Sequence, residues 1–441
     1  MMLAEQAVAD AGGVVVQAWP QIGVVIAHSA SVTFEADVVK AAKGGSVVSV
    51  GLTRTIPVAE GTPAGSGVTG NGATGKGQQS LPGETAETVV PDPGETTSQW
   101  DMRLILADQA HAITDGSPDV LVGVLDSGID GDHPELAGQI NRAASVNCTN
   151  AGAPDTSARG WYPSNSTHGT HVAGTIAAAR NGVGIVGVAP GVKLASIKVV
   201  NDAGSIYPEY AICGFVWAAE HGVDVTNNSY FIDPFEYWCD DQPDQAAVKE
   251  AVRRAVDYAS AKGIIHVAAA GNSRTDLTNN TTDTGSPNDS APVSRIINSG
   301  CQNIPTELDG VVTVSSITST SALASSSNRG LGIIDVAAPG NGIYSTLPLT
   351  MTNGYKNTVG YGSMSGTSMA SPHVAGVLAL MKSVHPGWTP AQMETAIRAE
   401  ATDTACPAAA VPAGSAACVG TTANNSYYGE GIVNALAAVQ P

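Results

Sequence analysis

Apolar positions along the chain change their pattern at about residues 57 and 99. From Gln99 to Pro441, short apolar runs bounded by turn residues alternate with longer helix-period stretches. Val120–Leu125, Leu194–Val199, Val223–Asn227, Ile264–Ala269, Val311–Val314 and Ile333–Ala337 read as strands. Gly169–Ala179, Tyr207–His221, Gln245–Lys262, Ser368–Val384 and Pro390–Ala399 read as helices. Strands and helices in alternation predict an α/β fold: a doubly wound, mostly parallel sheet covered by helices on both faces.

Residues 1–57 carry a shorter pattern, α-β-β-α-β. Leu3–Ala11 reads as a helix stopped by Gly12-Gly13, and Phe34–Ala42 as a second one ended by Gly44-Gly45. Val14–Trp19, Gly23–Ala27 and Ser46–Leu52 read as strands of a small α+β unit, one strand short of a closed βαββαβ arrangement. Between the two units, residues 58–98 are Gly, Thr, Pro, Ser and Glu with almost no apolar content. Such a segment cannot bury enough surface to offset its ordering entropy and is expected to be a disordered linker, open to nicking.

Composition narrows the function. Hydrophobic residues at 43% can fill a large core, and charged residues are only 13%. The formal net charge of -19 repels nucleic acid and anionic membranes, so neither is an expected partner. No apolar run reaches the roughly 18–20 residues of a membrane span, and the first residues lack a secretory n-region and h-region. Cys148, Cys213, Cys239, Cys301, Cys406 and Cys418 are even in number and contain no CxxC pair. Disulfides in an oxidising, extracellular compartment are the expected state, with only Cys406–Cys418 favoured by locality.

Three short stretches carry candidate chemistry. Asp126 closes the run Val120-Leu-Val-Gly-Val-Leu-Asp126-Ser-Gly-Ile, at the carboxyl end of a strand, where open α/β sheets bind ligands. Taken alone it is as readily a turn residue. His168-Gly-Thr-His171-Val-Ala-Gly174 places His168 at the start of a small-residue helix, with His171 one turn along in a packing role. A metal site on these two is disfavoured, because a zincin helix needs His at i and i+4 with a Glu between. Gly366-Thr-Ser368-Met-Ala-Ser-Pro372-His373-Val-Ala-Gly376 puts Ser368 at the positive end of a helix, among N–H groups without helical acceptors. An ordinary N-cap is the competing reading of Ser368.

Together these three motifs resemble the subtilisin-like serine peptidases, and the resemblance covers nearly all of Gln99–Pro441. It implies an Asp126–His168–Ser368 triad, in the chain order known for that family. Ser368 would be the nucleophile, His168 the general base and acid, and Asp126 the group that orients the imidazole. Ala268-Ala-Ala-Gly271-Asn272 matches the family's oxyanion segment, with Asn272 as side-chain donor and the Ser368 N–H as the second. Ser229, Phe231, Ala269 and Gly271 then border the substrate. Phe231 falls where relatives leave room with a glycine, so it either narrows the first specificity pocket or its loop has shifted. Ile304-Pro305 lies where relatives often carry a cis-proline.

The resemblance further implies a structural Ca²⁺ held by Glu135, Asn181 and the carbonyls of Ala179, Val183 and Ile185, with no cofactor for catalysis. A helix-terminal turn without metal remains the alternative there. Residues 1–57 resemble the family's inhibitory prodomain, so the chain is expected to be a secreted precursor that cuts itself in the linker before Trp100. By the family plan a further strand and a signal peptide would precede Met1. Protein or peptide substrates, the chain's own prodomain as intramolecular inhibitor and a monomeric state complete the expectation. A triad esterase would carry Gly-x-Ser-x-Gly and the order Ser, Asp, His, neither of which is present. A catalytically inactive subtilase-like binding protein is the non-enzyme alternative.

Overall fold

Residues 1–58, 60, 98–354, 356–357, 359–408 and 417–440 are described by the computed structural model of the chain. The expected linker, 58–98, lies almost wholly outside the described residues. The N-terminal unit runs α1 (Met2–Asp10), β1 (Val14–Trp19), β2 (Val24–His28) and α2 (Phe34–Ala41). Gly12 follows the end of α1 in the left-handed region, φ 78°, as the Gly-Gly stop requires. β1 and β2 pair antiparallel. The expected third strand, Ser46–Leu52, is not one: it joins no sheet. Its Gly51 instead approaches the backbone carbonyl of Asp244 so closely that no side chain would fit, and Val48 and Leu52 point to solvent.

The main unit opens with α3 (Trp100–Leu104) and α4 (Ala107–Ala110). Then come β3 (Leu121–Asp126), β4 (Val146–Asn150), β5 (Ala153–Asp155), α5 (His168–Ala177), β6 (Lys193–Lys198) and α6 (Pro208–Glu220). β7 (Val225–Asn228), β8 (Trp238–Cys239), α7 (Pro243–Ala261) and β9 (Ile265–Ala269) follow. β10 (Thr282–Asp283), β11 (Arg295–Ile296) and β12 (Cys301–Gln302) are two-residue strands. β13 (Val311–Ile317), β14 (Val336–Pro339), β15 (Ile343–Thr346), β16 (Tyr361–Met364), α8 (Thr367–Val384) and α9 (Pro390–Ala399) close the unit. Prolines begin α6, α7 and α9, where a missing N–H costs nothing.

The central sheet has the order β14-β13-β9-β7-β3-β6-β4-β5. Every pairing in it is parallel except β4 with β5. β3 lies between β6 and β7, where the direction of strand addition reverses, which puts the carboxyl end of that strand at the switch point. Alternate residues of β3 serve the two faces. Val122 and Val124 join the core built with α5 and α8, while Leu121 and Leu125 join the core built with α6 and α7. Trp19, Ile22 and Ile26 of the N-terminal unit belong to that second core, so the small sheet docks on the α6–α7 layer.

All six cysteines are paired: Cys148–Cys213, Cys239–Cys301 and Cys406–Cys418. The first links β4, next to the sheet edge, to α6, and the second holds β8 against β12. Ile304-Pro305 is cis, as are Asp233-Pro234 and Ser286-Pro287. Among the described residues no helix is long and apolar enough to cross a membrane.

Candidate active site

Asp126 is the last residue of β3 and is nearly inaccessible to solvent. Its Oδ1 accepts the Ser127 N–H at 2.7 Å, which fixes the carboxylate plane. α5 starts on His168 itself. The start of α5 abuts the end of β3 because position 169 is glycine: a Cβ there would collide with the Gly128 carbonyl and lie 3.1 Å from Asp126 Oδ1. The Ser127 hydroxyl accepts the Gly169 N–H at 3.0 Å, locking strand end to helix start. With both backbones fixed, His168 Nδ1 lies 2.9 Å from each Asp126 carboxylate oxygen. A carboxylate on Nδ1 leaves Nε2 as the ring's acceptor.

Ser368 is the second residue of α8, and Gly366 is the N-cap. The ordinary-cap reading of Ser368 therefore falls away. Its hydroxyl donates to the Ser229 carbonyl at 3.3 Å, and the Ser229 hydroxyl donates back to the Ser368 carbonyl at 3.0 Å. Asn272 follows β9, and its Oδ1 accepts both the N–H of Thr367 at 2.9 Å and the Thr367 hydroxyl at 3.1 Å. With the oxygen so engaged, the amide's donor end is the one left to serve a ligand. Thr367 in turn accepts the Gly271 N–H at 3.1 Å. Thr367 and Ser229 are thus positioning residues that sequence reasoning did not single out for this work. Their signal was the Thr inside Gly366-Thr-Ser368.

His168, Ser368, Asn272, Ser229, Phe231, Ala269 and Gly271 line one cleft of about 260 Å³, which Glu236 and Met364 also border. Phe231 stands in that lining. Burial raises the Glu236 carboxyl above its ordinary value, with Asp283 adding to the effect. A larger cavity of about 680 Å³, walled by Asn279, Asn298, Glu307 and Asp335 among others, contains none of these candidate residues. Chemistry, not size, selects the cleft.

His171 is fully buried, with Nε2 2.9 Å from the Ile343 carbonyl and 3.2 Å from that of Gly362. Burial pushes it down to about 3, so it stays neutral and ties α5 to the β15–β16 hairpin. That is the packing role expected of it. The metal-like cluster of Cys239, Asp241 and Cys301 offers no thiolates, because its two cysteines form a disulfide.

The residues expected to hold calcium do come together, but with donors pointing at the wrong atom. Glu135 Oε1 accepts the N–H of Ile185 at 2.9 Å and the Tyr361 hydroxyl at 2.9 Å. Asn181 Oδ1 accepts the N–H of Val183 at 3.2 Å. A hard cation needs several converging oxygens, and a hydrogen-bond donor aimed at its ligand repels it. Tyr361 and Gly184 also fill the space beside the carboxylate. Burial raises the Glu135 carboxyl. Its Oε1 is engaged by two donors, while its Oε2 is buried with no hydrogen-bond partner among the described residues.

Known proteins share this organisation. The model of the Subtilase family (Peptidase_S8) matches residues 117–431. Subtilisin DY of Bacillus licheniformis is 34% identical over 347 residues, covering 78% of this chain and 99% of the relative. Subtilisin E of Bacillus subtilis (strain 168) is 33% identical over 336 residues, with 76% and 70% covered. Among solved structures, a lanthipeptide protease superposes with a TM-score of 0.59 at 25% identity, covering 77% of this chain and 93% of that one.

Proposed function

The chain belongs to the subtilase family, and on that premise we propose that it is a secreted serine endopeptidase, made as a precursor that cuts itself between its two units. Ser368 attacks the scissile carbonyl, and His168 takes the hydroxyl proton and later delivers it to the leaving amine. Asp126 holds the imidazole tautomer and stabilises the imidazolium. Asn272 and the Ser368 N–H bind the oxyanion, each such donor contributing about 2.7–4 kcal/mol to the transition state. The acyl-enzyme on Ser368 is then hydrolysed through the same His168. The N-terminal unit acts as intramolecular inhibitor, and protein or peptide chains are the substrates of a monomeric enzyme.

The observation that carries this reading is the contact of His168 Nδ1 with both Asp126 carboxylate oxygens at 2.9 Å, in the cleft that also holds Ser368 and Asn272. Ser368 Oγ donates to the Ser229 carbonyl at 3.3 Å, and catalytic hydrogen bonds commonly tighten only when substrate binds. No step uses a metal, and calcium at Glu135 is no part of the proposal. The test is labelling by a fluorophosphonate together with casein cleavage. Both are expected of the parent chain and neither of Ser368→Ala; a parent that takes no label and cuts no casein overturns the reading. Hydrolysis of simple esters without casein cleavage would make it an esterase instead.

A further inference from the structure

Arg54, near the end of the N-terminal unit (residues 1–57), is 8% exposed and buries its guanidinium on the main unit. It lies over the Tyr207 ring, 3.8 Å from the centroid, with the Tyr210 ring at 5.5 Å. Nη2 donates to Glu209 Oε1 and, at 3.2 Å, to the Tyr210 hydroxyl. Nη1 donates at 2.7 Å to Glu60, which the Tyr210 hydroxyl also contacts. The neighbouring Thr55 donates its N–H to Asp289 Oδ2 at 2.9 Å.

Glu209 is 1% exposed and stands in the first turn of α6. Arg54 is paired with it, and the Glu209 charge also acts on His28. The Glu209 Oε2 is buried without a hydrogen-bond partner among the described residues. A buried carboxylate with a vacant oxygen is costly when its counter-ion leaves. The two aromatic faces supply what a planar cation needs and an ammonium uses less well. Ile206, just before α6, donates its N–H to Asp233, two residues past Phe231 of the cleft. The socket thus adjoins the cleft, outside its lining.

We infer that Tyr207, Glu209 and Tyr210 form a guanidinium-binding exosite, which Arg54 fills in the intact chain and an arginine of a bound polypeptide fills when the N-terminal unit has left. The inference rests on the peptidase reading only for calling that polypeptide a substrate. Its selectivity follows from geometry: stacking on Tyr207 together with donation to Glu209 fits arginine and not lysine.

The experiment uses the full chain carrying Ser368→Ala, which is inert to its own chemistry, so its outcome does not depend on activity. With Arg54→Ala added, calorimetric titration with acetyl-Thr-Arg-Thr-amide is expected to show binding. The Thr-Lys-Thr analogue, and the Arg peptide against a chain also carrying Glu209→Gln, are expected to bind at least about tenfold more weakly, the scale of a hydrogen bond to a charged group. The chain that retains Arg54 is expected not to bind. Equal binding of the lysine peptide, or an unchanged affinity in Glu209→Gln, overturns the inference. Should Arg54→Ala unfold the chain, amide exchange in the Arg54-containing chain decides. Glu209→Gln is then expected to speed exchange over 51–57 while α7 stays protected, and unchanged exchange there overturns the inference. Failure of the peptidase reading would show separately, as absent fluorophosphonate labelling of the parent.

Discussion

Removing the Asp101 carboxylate should destabilise the helix that carries Ser368, and the structure gives the size of the effect. His373 lies in α8, fully buried, with Nδ1 2.8 Å from the Met369 carbonyl and Nε2 2.9 Å from Asp101 Oδ2. Both ring nitrogens face oxygens, so His373 and Asp101 form one buried hydrogen-bonded pair that ties α8 to α3. Asp101 is itself buried, in α3. In Asp101→Ala, Nδ1 keeps the Met369 carbonyl while Nε2 is left buried with no partner. Breaking a buried pair from one side costs about 3–5 kcal/mol. Asp101→Asn keeps an acceptor of the same shape and leaves one group poorly satisfied, at about 1–3 kcal/mol. Urea unfolding of the Ser368→Ala chain, which cannot digest itself, should therefore rank parent above Asp101→Asn above Asp101→Ala. If Asp101→Ala falls within about 0.5 kcal/mol of the parent, the range of an ordinary surface change, the reading of Asp101–His373 as a stabilising buried pair is wrong. Equal losses in the two variants would refute it as well.

Asn272→Ala should lower kcat by about 10²–10³-fold with the fold intact, the loss of one oxyanion donor; unchanged turnover in a casein assay removes that assignment. Glu135→Gln keeps an acceptor for Ile185 and Tyr361, so its melting temperature should stay close to the parent's and EGTA should not shift the parent's melting through this loop. An EGTA-induced drop present in the parent and absent in Glu135→Gln would instead place a cation there. Burial pushes the Asp233 carboxyl from 3.8 up to about 7, against the opposing donors Asn288 and Ile206. A carboxyl raised on folding holds its proton more tightly in the native state, so its ionisation costs stability as pH rises from about 4 to about 7. The melting temperature of Asp233→Asn relative to the parent should accordingly be higher at pH 8 than at pH 4.5, and a difference that is flat or reversed refutes this.

The main sheet was legible because its strands are buried on both faces, and continuous apolar runs such as Val311–Val314 have no other use. Edge elements were not. β4 reads Val-Asn-Cys-Thr-Asn and pairs at the rim, where half-exposed polar side chains carry no strand signal. Ser46–Leu52 misled for the opposite reason: its β-branched residues suit a strand, but its neighbours are α7 side chains and not a sheet edge. The candidate catalytic residues stood out because each motif packs its chemistry into a few adjacent positions. What holds them in place did not, since it comes from distant chain: Tyr361 on Glu135, Asp101 on His373, Arg54 on Glu209. Such pairings depend on which loops meet, and one sequence does not state that.

The docking of Trp19, Ile22 and Ile26 on the α6–α7 layer has a consequence for timing. The N-terminal unit has few other buried apolar side chains, Ala7, Val8 and Val38, too few to offset the entropy of ordering a unit of that size alone. Its folding and its attachment are one cooperative event. A copy that lets go therefore loses its shape as it leaves, returns slowly because it must refold to bind, and offers an unfolded chain to any peptidase nearby. On the proposed self-cleavage, departure would work as a ratchet, with the delay before it set by how often the interface opens.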